Sequence, residues 1–202
     1  MTNETTEVLI VGGGPCGLML ANELGRRGVA AILVDQKPST AFNPQANATQ
    51  ARTMEHFRRL GFVEEIRAQG LPGDHPTDVA YFTRFAGHEL ARFPLPSSNE
   101  AARRVRLGDR SFSAAEPAHR VSQKFVEAVM RRHADALPGI SVRYGHRLAG
   151  FRETADGIEA EVEEVAGGGV RRISARYLVG ADGPHSFVRR ELGFAYGGEG
   201  GI

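Results

Sequence analysis

Three glycines near the amino terminus, Gly12, Gly14 and Gly17, have the spacing G-x-G-x-x-G. In a strand-to-helix turn, the first glycine allows a tight bend, the second lets a pyrophosphate approach the backbone, and the third lets the helix pack closely. The N–H groups and the positive dipole at the start of the helix attract phosphate. We therefore predict that this turn, with Pro15 and Cys16 between its glycines, binds a dinucleotide.

A carboxylate follows at the distance expected of such a site. Asp35 lies 18 residues after Gly17, at the tip of a second apolar segment, where it can accept hydrogen bonds from an adenosine ribose. Its negative charge would repel a 2′-phosphate, so the predicted nucleotide is FAD or NAD rather than NADP. Gln36, the next residue, is included in the predicted site.

The segments around these residues are those of a strand–helix–strand unit. Val8–Val11 is a continuous apolar run, typical of a strand buried in a parallel sheet. A helix is predicted at Leu18–Arg27, ending at Gly28, and a second strand at Ala30–Val34. Because the pieces occur in the right order, a purely structural glycine turn is the less favoured interpretation. For Cys16 we expect packing at the crowded helix start rather than nucleophilic chemistry, since no base partner is evident.

The rest of the chain is predicted to alternate between helices and hairpins. Gly61 is expected to end a helix, and Ser122 is expected to cap a later one. Residues 94–118, which are rich in Pro, Ser and Ala, are predicted to form a long loop. The other predicted elements are helices at Gln50–Leu60 and Ser122–His133, a hairpin at Asp78–Phe93, a strand at Ile140–Val142, a hairpin around Gly167–Gly169 and a strand at Tyr177–Gly180.

The composition is that of an ordinary globular protein. The 202 residues are 41% hydrophobic and 24% charged, with a net charge of +1, so no strong field would attract nucleic acid or a membrane surface. The single cysteine excludes an internal disulfide and favours a reducing cytoplasm. We predict no signal peptide, no membrane-spanning segment and no metal site.

Four motifs occur together and in a characteristic order: GGGPCG, ARTME, RVSQKFVE and, late in the chain, GADGPHSFVRR. This set resembles the single-component (class A) FAD-dependent aromatic hydroxylases related to p-hydroxybenzoate and phenol hydroxylases. The segment TDVAYFTRFAGHELARFPLPS is most similar to the chlorophenol hydroxylases. The resemblance implies a Rossmann-like (GR2-type) α/β FAD-binding fold, with a parallel sheet and a β-meander. It assigns residues 1–73 and 116–193 to the FAD-binding domain, and residues 74–115 and 194–202 to the beginnings of the substrate-binding region.

The resemblance also implies further cofactor-binding residues. Asp182 and Gly183 match the Asp-Gly motif that the family links to both the flavin and the reducing pyridine nucleotide. Arg120 and Gln123 match flavin-contacting positions, and Arg52 matches the arginine of the ARTME helix. The alternatives are a helix cap for Asp182 and solvated helix faces for the other three. The chain departs from the family at Gln45, where relatives often carry a basic residue.

The activity implied by the resemblance is hydroxylation of an aromatic, phenolic substrate with O₂, FAD and NAD(P)H, and a homo-oligomer is compatible with it. A GDAAH-type segment, which the family has after the substrate-binding sheet, is absent. We therefore expect the chain to be the amino-terminal part of a hydroxylase, inactive alone, and assign no catalytic residue. Two alternatives stay open: another FAD enzyme of the same fold, such as a halogenase or reductase, and a non-catalytic dinucleotide-binding module.

Overall fold

The computed structural model describes residues 3–43 and 46–198. The chain divides into two compact units: unit 1 comprises Met1–Asn43 and Glu127–Ile202, and unit 2 comprises Pro44–Val126. The elements in chain order are β1 (Asn3–Val11), α1 (Pro15–Gly25), β2 (Ala31–Asp35), α2 (Ala51–Leu60), α3 (Val63–Ala68), β3 (Val79–Phe82), β4 (Glu89–Phe93), α4 (Ser98–Arg106), α5 (Gln123–Asp135), β5 (Ile140–Tyr144), β6 (His146–Thr154), β7 (Gly157–Glu164), β8 (Val170–Gly180) and α6 (Phe187–Glu191).

Unit 1 is built on a six-stranded sheet with the order β5-β2-β1-β8-β7-β6. The first four of these strands are parallel, and β8, β7 and β6 form an antiparallel meander. Val11 lies opposite both Val34 and Gly180, so β1, β2 and β8 end at the same edge of the sheet. At that edge Asp35 lies opposite Tyr144 at the end of β5. The sheet agrees with the predicted parallel arrangement followed by a meander.

The apolar run of β1 explains why it takes a central position in the sheet. Val8–Val11 is buried on both faces, as expected of a parallel strand covered on each side. On the side of α1, Asn22 donates hydrogen bonds from its amide to the carbonyls of Leu18 and Met130, each at 2.9 Å, and so connects α1 to α5. The core cluster on the meander side consists of Leu9, Val11, Ile32, Val34, Leu148, Ala160, Val162, Ile173, Ala175 and Val188.

Helix α1 begins earlier than the sequence pattern predicted. It starts at Pro15 rather than at Leu18, because proline suits the first turn of a helix, where its missing N–H would have no partner anyway. In unit 2, Gly61 ends α2 in the left-handed conformation, with φ of +91°, as predicted. The hairpin predicted at Asp78–Phe93 is confirmed as β3 and β4.

Two predictions for unit 2 are wrong. The predicted loop 94–118 contains α4, which the Ser97 hydroxyl caps by accepting a hydrogen bond from the backbone N–H of Glu100 at 3.2 Å. Glu100 also pairs with Arg104 one turn later, so capping and an i,i+4 ion pair outweigh a loop-like composition. Ser122 precedes α5, but its buried hydroxyl has no hydrogen-bond partner within the described residues, so it does not cap that helix.

None of the helices described here is long and apolar enough to cross a membrane. Within residues 3–43 and 46–198, no group of three or more His, Cys, Asp or Glu side chains is placed to hold a metal ion.

Candidate functional site

The three motif glycines each meet a different steric condition. Gly12 has a φ of +112°, and a Cβ there would overlap the carbonyl of Ala181. A Cβ on Gly17 would overlap the backbone oxygen of Gly12. A Cβ on Gly14, by contrast, would meet nothing within 4 Å. Two glycines are thus required by the protein's own packing, whereas the third faces open space into which a ligand could approach.

The start of α1 has no side-chain cap among the residues that the structure describes, and no acidic residue lies in its first turn. The first backbone bond of the helix runs from the Leu18 N–H to the Gly14 carbonyl at 3.0 Å, so in the described chain the N–H groups of Cys16 and Gly17 have no helical acceptor. Pro15 and Cys16 are exposed. The packing role expected for Cys16 is therefore wrong, and the helix start is open to an anion.

Asp35 connects the end of β2 to the glycine turn. Its carboxylate accepts a hydrogen bond from the backbone N–H of Gly13 at 2.6 Å and another from that of Lys37 at 2.8 Å. Each carboxylate oxygen can accept more than one bond, so the group retains capacity for a ribose hydroxyl. Gln36 is exposed and, with Lys37 and Arg147, lines a surface groove of about 390 Å³.

Tyr144 also belongs to this site, although none of the sequence motifs contains it. Its hydroxyl donates a hydrogen bond to the Gly13 carbonyl at 2.7 Å. Burial raises the pKa of Tyr144 well above its ordinary value, and the nearby charge of Asp35 adds to this effect. The useful signal would have been the pairing of β2 with β5, which places Asp35 beside Tyr144, but the sequence does not reveal that register.

The Asp182 turn lies next to the glycine turn. The backbone N–H of Ala181 donates to the Val11 carbonyl at 2.7 Å. The Asp182 carboxylate accepts hydrogen bonds from the Ser186 hydroxyl and from the N–H groups of Phe187 and Val188, the latter two at 2.7 and 3.2 Å. These are the bonds of a helix cap. Gly183, with a φ of +80°, leaves open space beside it.

Unit 2 carries the other three predicted site residues. The Arg52 side chain is 82% exposed and pairs with Glu55 at 2.8 Å. Arg120 donates hydrogen bonds to the Asn47 side chain at 3.4 Å and to the Thr77 carbonyl at 3.1 Å. Gln123 is the first residue of α5. Gln45 lies outside the described residues.

The nine predicted residues of unit 1 are Gly12, Gly14, Pro15, Cys16, Gly17, Asp35, Gln36, Asp182 and Gly183. They lie at or just after the ends of β1, β2 and β8, at one edge of the sheet. An open helix start, a glycine that leaves free space and a neighbouring carboxylate suit a nucleotide pyrophosphate and its ribose. The residues present therefore fit the ADP part of FAD.

Comparison with known proteins agrees with this geometry. A family model described as "FAD binding domain" matches residues 5–202. Aklavinone 12-hydroxylase DnrF of Streptomyces peucetius is 36% identical over 204 residues, which cover 99% of this chain and 40% of the relative. Phenol 2-monooxygenase of Pseudomonas sp. (strain EST1001) is 30% identical over 195 residues, which cover 95% of this chain and 31% of the relative.

Among solved structures, the crystal structure of the flavin-dependent monooxygenase PieE in complex with FAD and substrate aligns with a TM-score of 0.86 at 29% identity, covering 98% of this chain and 34% of that chain. The resemblance to FAD-dependent aromatic hydroxylases and the Rossmann-like fold are thereby confirmed. The chain spans between 30% and 40% of the length of the first curated relatives that it matches. Because the family model extends over nearly all of its length, the chain belongs to the FAD binding domain family.

Proposed function

We propose that this chain binds the ADP half of FAD at the turn after β1, as the FAD-binding part of a monooxygenase. The observation that carries the proposal is the open start of α1, where none of the described side chains caps the helix and a Cβ on Gly14 would meet nothing within 4 Å. The neighbouring Asp182 turn has its own carboxylate cap, so an uncapped helix start is not a general property of this sheet edge.

Each part of the turn has a distinct role in holding the nucleotide. The backbone N–H groups of Gly14, Cys16 and Gly17 would donate hydrogen bonds to the pyrophosphate, which the positive end of α1 also attracts. Asp35 would accept a hydrogen bond from the adenosine ribose while keeping its bonds to the backbone. Gln36 lies exposed beside it.

The activity of the longer protein is part of the same proposal. Bound FAD supplies hydride acceptance from NAD(P)H and activation of O₂, and the protein supplies binding, orientation and exclusion of water. The names of the relatives, an aklavinone 12-hydroxylase and a phenol 2-monooxygenase, support an aromatic small molecule as the substrate. Asp182 and Gly183, with Arg52, Arg120 and Gln123, are proposed to contact the flavin or position it.

We base the proposed cellular location and partners of the protein on its composition. A net charge of +1 and a single cysteine support a cytoplasmic protein with small-molecule partners rather than nucleic acid or membrane, with homo-oligomerisation compatible.

The test is calorimetric titration of the 202-residue chain with FAD, ADP and riboflavin in parallel. The proposal expects FAD and ADP to bind at the same site, and riboflavin, which lacks the pyrophosphate and adenosine, to bind far more weakly. ADP should compete with FAD for binding. Riboflavin binding as tightly as FAD, or an absence of both FAD and ADP binding, would contradict it.

A further inference from the structure

We infer that Tyr144 is a positioning residue for the phosphate-binding turn, because its hydroxyl fixes the carbonyl of Gly13 and so directs the N–H of Gly14 towards the phosphate site. This inference rests on the proposed function. Tyr144 matches none of the motifs in the sequence, and it contacts the turn from a strand that lies 131 residues further along the chain than Gly13.

Gly13 is held at both of its backbone polar groups. Its N–H donates to the Asp35 carboxylate at 2.6 Å, and its carbonyl accepts from the Tyr144 hydroxyl at 2.7 Å. The two side chains reach it from the ends of adjacent parallel strands, where Asp35 and Tyr144 lie in register. The turn is therefore anchored to β2 and β5 as well as to the strand that precedes it.

The direction of the Gly14 N–H follows from peptide geometry. The Gly13 carbonyl and the Gly14 N–H belong to the same trans peptide group, in which they point in opposite directions. Anchoring the carbonyl on Tyr144 therefore directs the Gly14 N–H away from the tyrosine ring. Space is available at the same residue, because a Cβ on Gly14 would meet nothing within 4 Å. A donor to the carbonyl also polarises the peptide and strengthens the N–H as a donor.

The tyrosine itself is firmly placed. Its ring is partly buried and lies so close to Gly13 that a Cβ there would be 2.9 Å from ring carbon Cε1. On the ring lies the guanidinium of Arg131, 4.6 Å from the centroid, and Arg131 pairs with Asp135 at 3.5 Å. Burial raises the pKa of Tyr144, so the hydroxyl, which is protonated at neutral pH in any tyrosine, stays a donor in alkaline solution as well.

The substitution Tyr144→Phe removes the hydroxyl and retains the ring. The matched control is Tyr177→Phe, at a tyrosine in β8 of the same unit that is 55% exposed. FAD and ADP affinities are measured by calorimetry well below the melting temperature, where a loss of stability alone leaves the chain folded and the affinity unchanged. We expect Tyr144→Phe to weaken both ligands about three- to ten-fold, as for loss of one hydrogen bond, and Tyr177→Phe to change them less than about two-fold.

A ligand-free readout accompanies the titration. In spectra of the chain labelled with ¹⁵N-glycine, Tyr144→Phe should shift the amide signals of Gly13 and Gly14 and leave that of Gly167 in place. Unchanged affinities in Tyr144→Phe, or unmoved signals at Gly13 and Gly14, would overturn the inference. If the wild-type chain binds neither FAD nor ADP, the proposed function itself fails. These results are distinguishable because the first two concern only the variant.

Discussion

Two neighbouring strands of the sheet, β1 and β8, end in the same way, with a glycine-containing turn followed by a helix, yet their turns differ in chemistry. After β8, the Asp182 carboxylate accepts hydrogen bonds from two N–H groups at the start of α6, and the Ser186 hydroxyl accepts one from Arg189. After β1, none of the side chains within residues 3–43 and 46–198 caps α1. The backbone architecture is shared, and the side chains at the helix start decide whether its N–H groups are satisfied internally or left for a ligand.

The comparison explains where the acidic residue of each turn lies. In the β8 turn, Asp182 bonds to its own helix start. In the β1 turn the carboxylate comes from the next strand, since Asp35 accepts from Gly13, one residue before the helix cap position. The β1 turn is thus stabilised while the N–H groups at the start of α1 remain available to bind an anion.

The largest effect is expected at Gly17, because its neighbour there is backbone that cannot move aside. Gly17→Ala should destabilise unit 1 by about 3 kcal/mol or more, the upper end for overpacking. Gly14→Ala is the matched control, since its Cβ would meet nothing within 4 Å. Chemical denaturation measures both, and equal unfolding free energies for the two variants would contradict the steric account of the turn.

The next effect concerns the ribose. Asp35→Ala should weaken FAD and ADP binding about ten-fold to a hundred-fold, because hydrogen bonds to a charged group contribute about 1.5–3 kcal/mol. Calorimetry on the folded variant gives the value. Glu159→Ala, which alters an exposed acidic residue of β7 that pairs with Arg152, serves as the control and should leave the affinity unchanged. An unaltered affinity in Asp35→Ala would remove this residue from the site.

Gly14→Ala separates the effect on binding from the effect on stability in the glycine turn after β1. We expect it to weaken FAD about ten-fold, since the added methyl group occupies the space through which the pyrophosphate approaches. Its unfolding free energy should change by less than about 0.5 kcal/mol, as for a site without close neighbours. Wild-type affinity in Gly14→Ala would show that the phosphates do not lie against this residue.

The smallest effect is expected in the Asp182 turn, which follows β8. Asp182→Ala removes the carboxylate that accepts from the Phe187 and Val188 N–H groups, while the Ser186 cap of α6 remains. It should lower the unfolding free energy by about 1 kcal/mol, with little change in ADP affinity. An unchanged unfolding free energy together with lost ADP binding would show that the Asp182 turn also serves ligand binding, as the β1 turn is proposed to do. In the longer protein, the same variant tests the proposed link to the flavin, because reduction by NAD(P)H should then be slower although the protein stays folded.

Much of unit 1 could be predicted because its signals are local. The apolar runs of β1 and β2, the glycine spacing and Asp35 follow one another within a short stretch, and each has a physical reason in that order. The predicted start of α1 at Leu18 is wrong because Pro15, which is well suited to a first helical turn, already begins the helix.

Other features depend on information that a single sequence does not display. Tyr144 meets Gly13 only because β5 pairs with β2 in a particular register, and no local pattern specifies that pairing. The segment that contains α4 has a composition typical of loops, which favours the wrong prediction, although Ser97 and Glu100 form a capping signal. For Asp182, the sequence is compatible with a cap and with a ligand contact, and its bonds to the start of α6 are visible only in the folded structure.

Binding of the ADP half of FAD at the glycine turn after β1 is tested most directly by titrating the ¹⁵N-glycine-labelled chain with ADP. The amide signals of Gly13, Gly14 and Gly17 should move together and saturate, while those of Gly167 and Gly169, in the turn between β7 and β8, stay in place. Saturable shifts confined to glycines outside the β1 turn, or no shifts at all, would contradict a dinucleotide site at this turn.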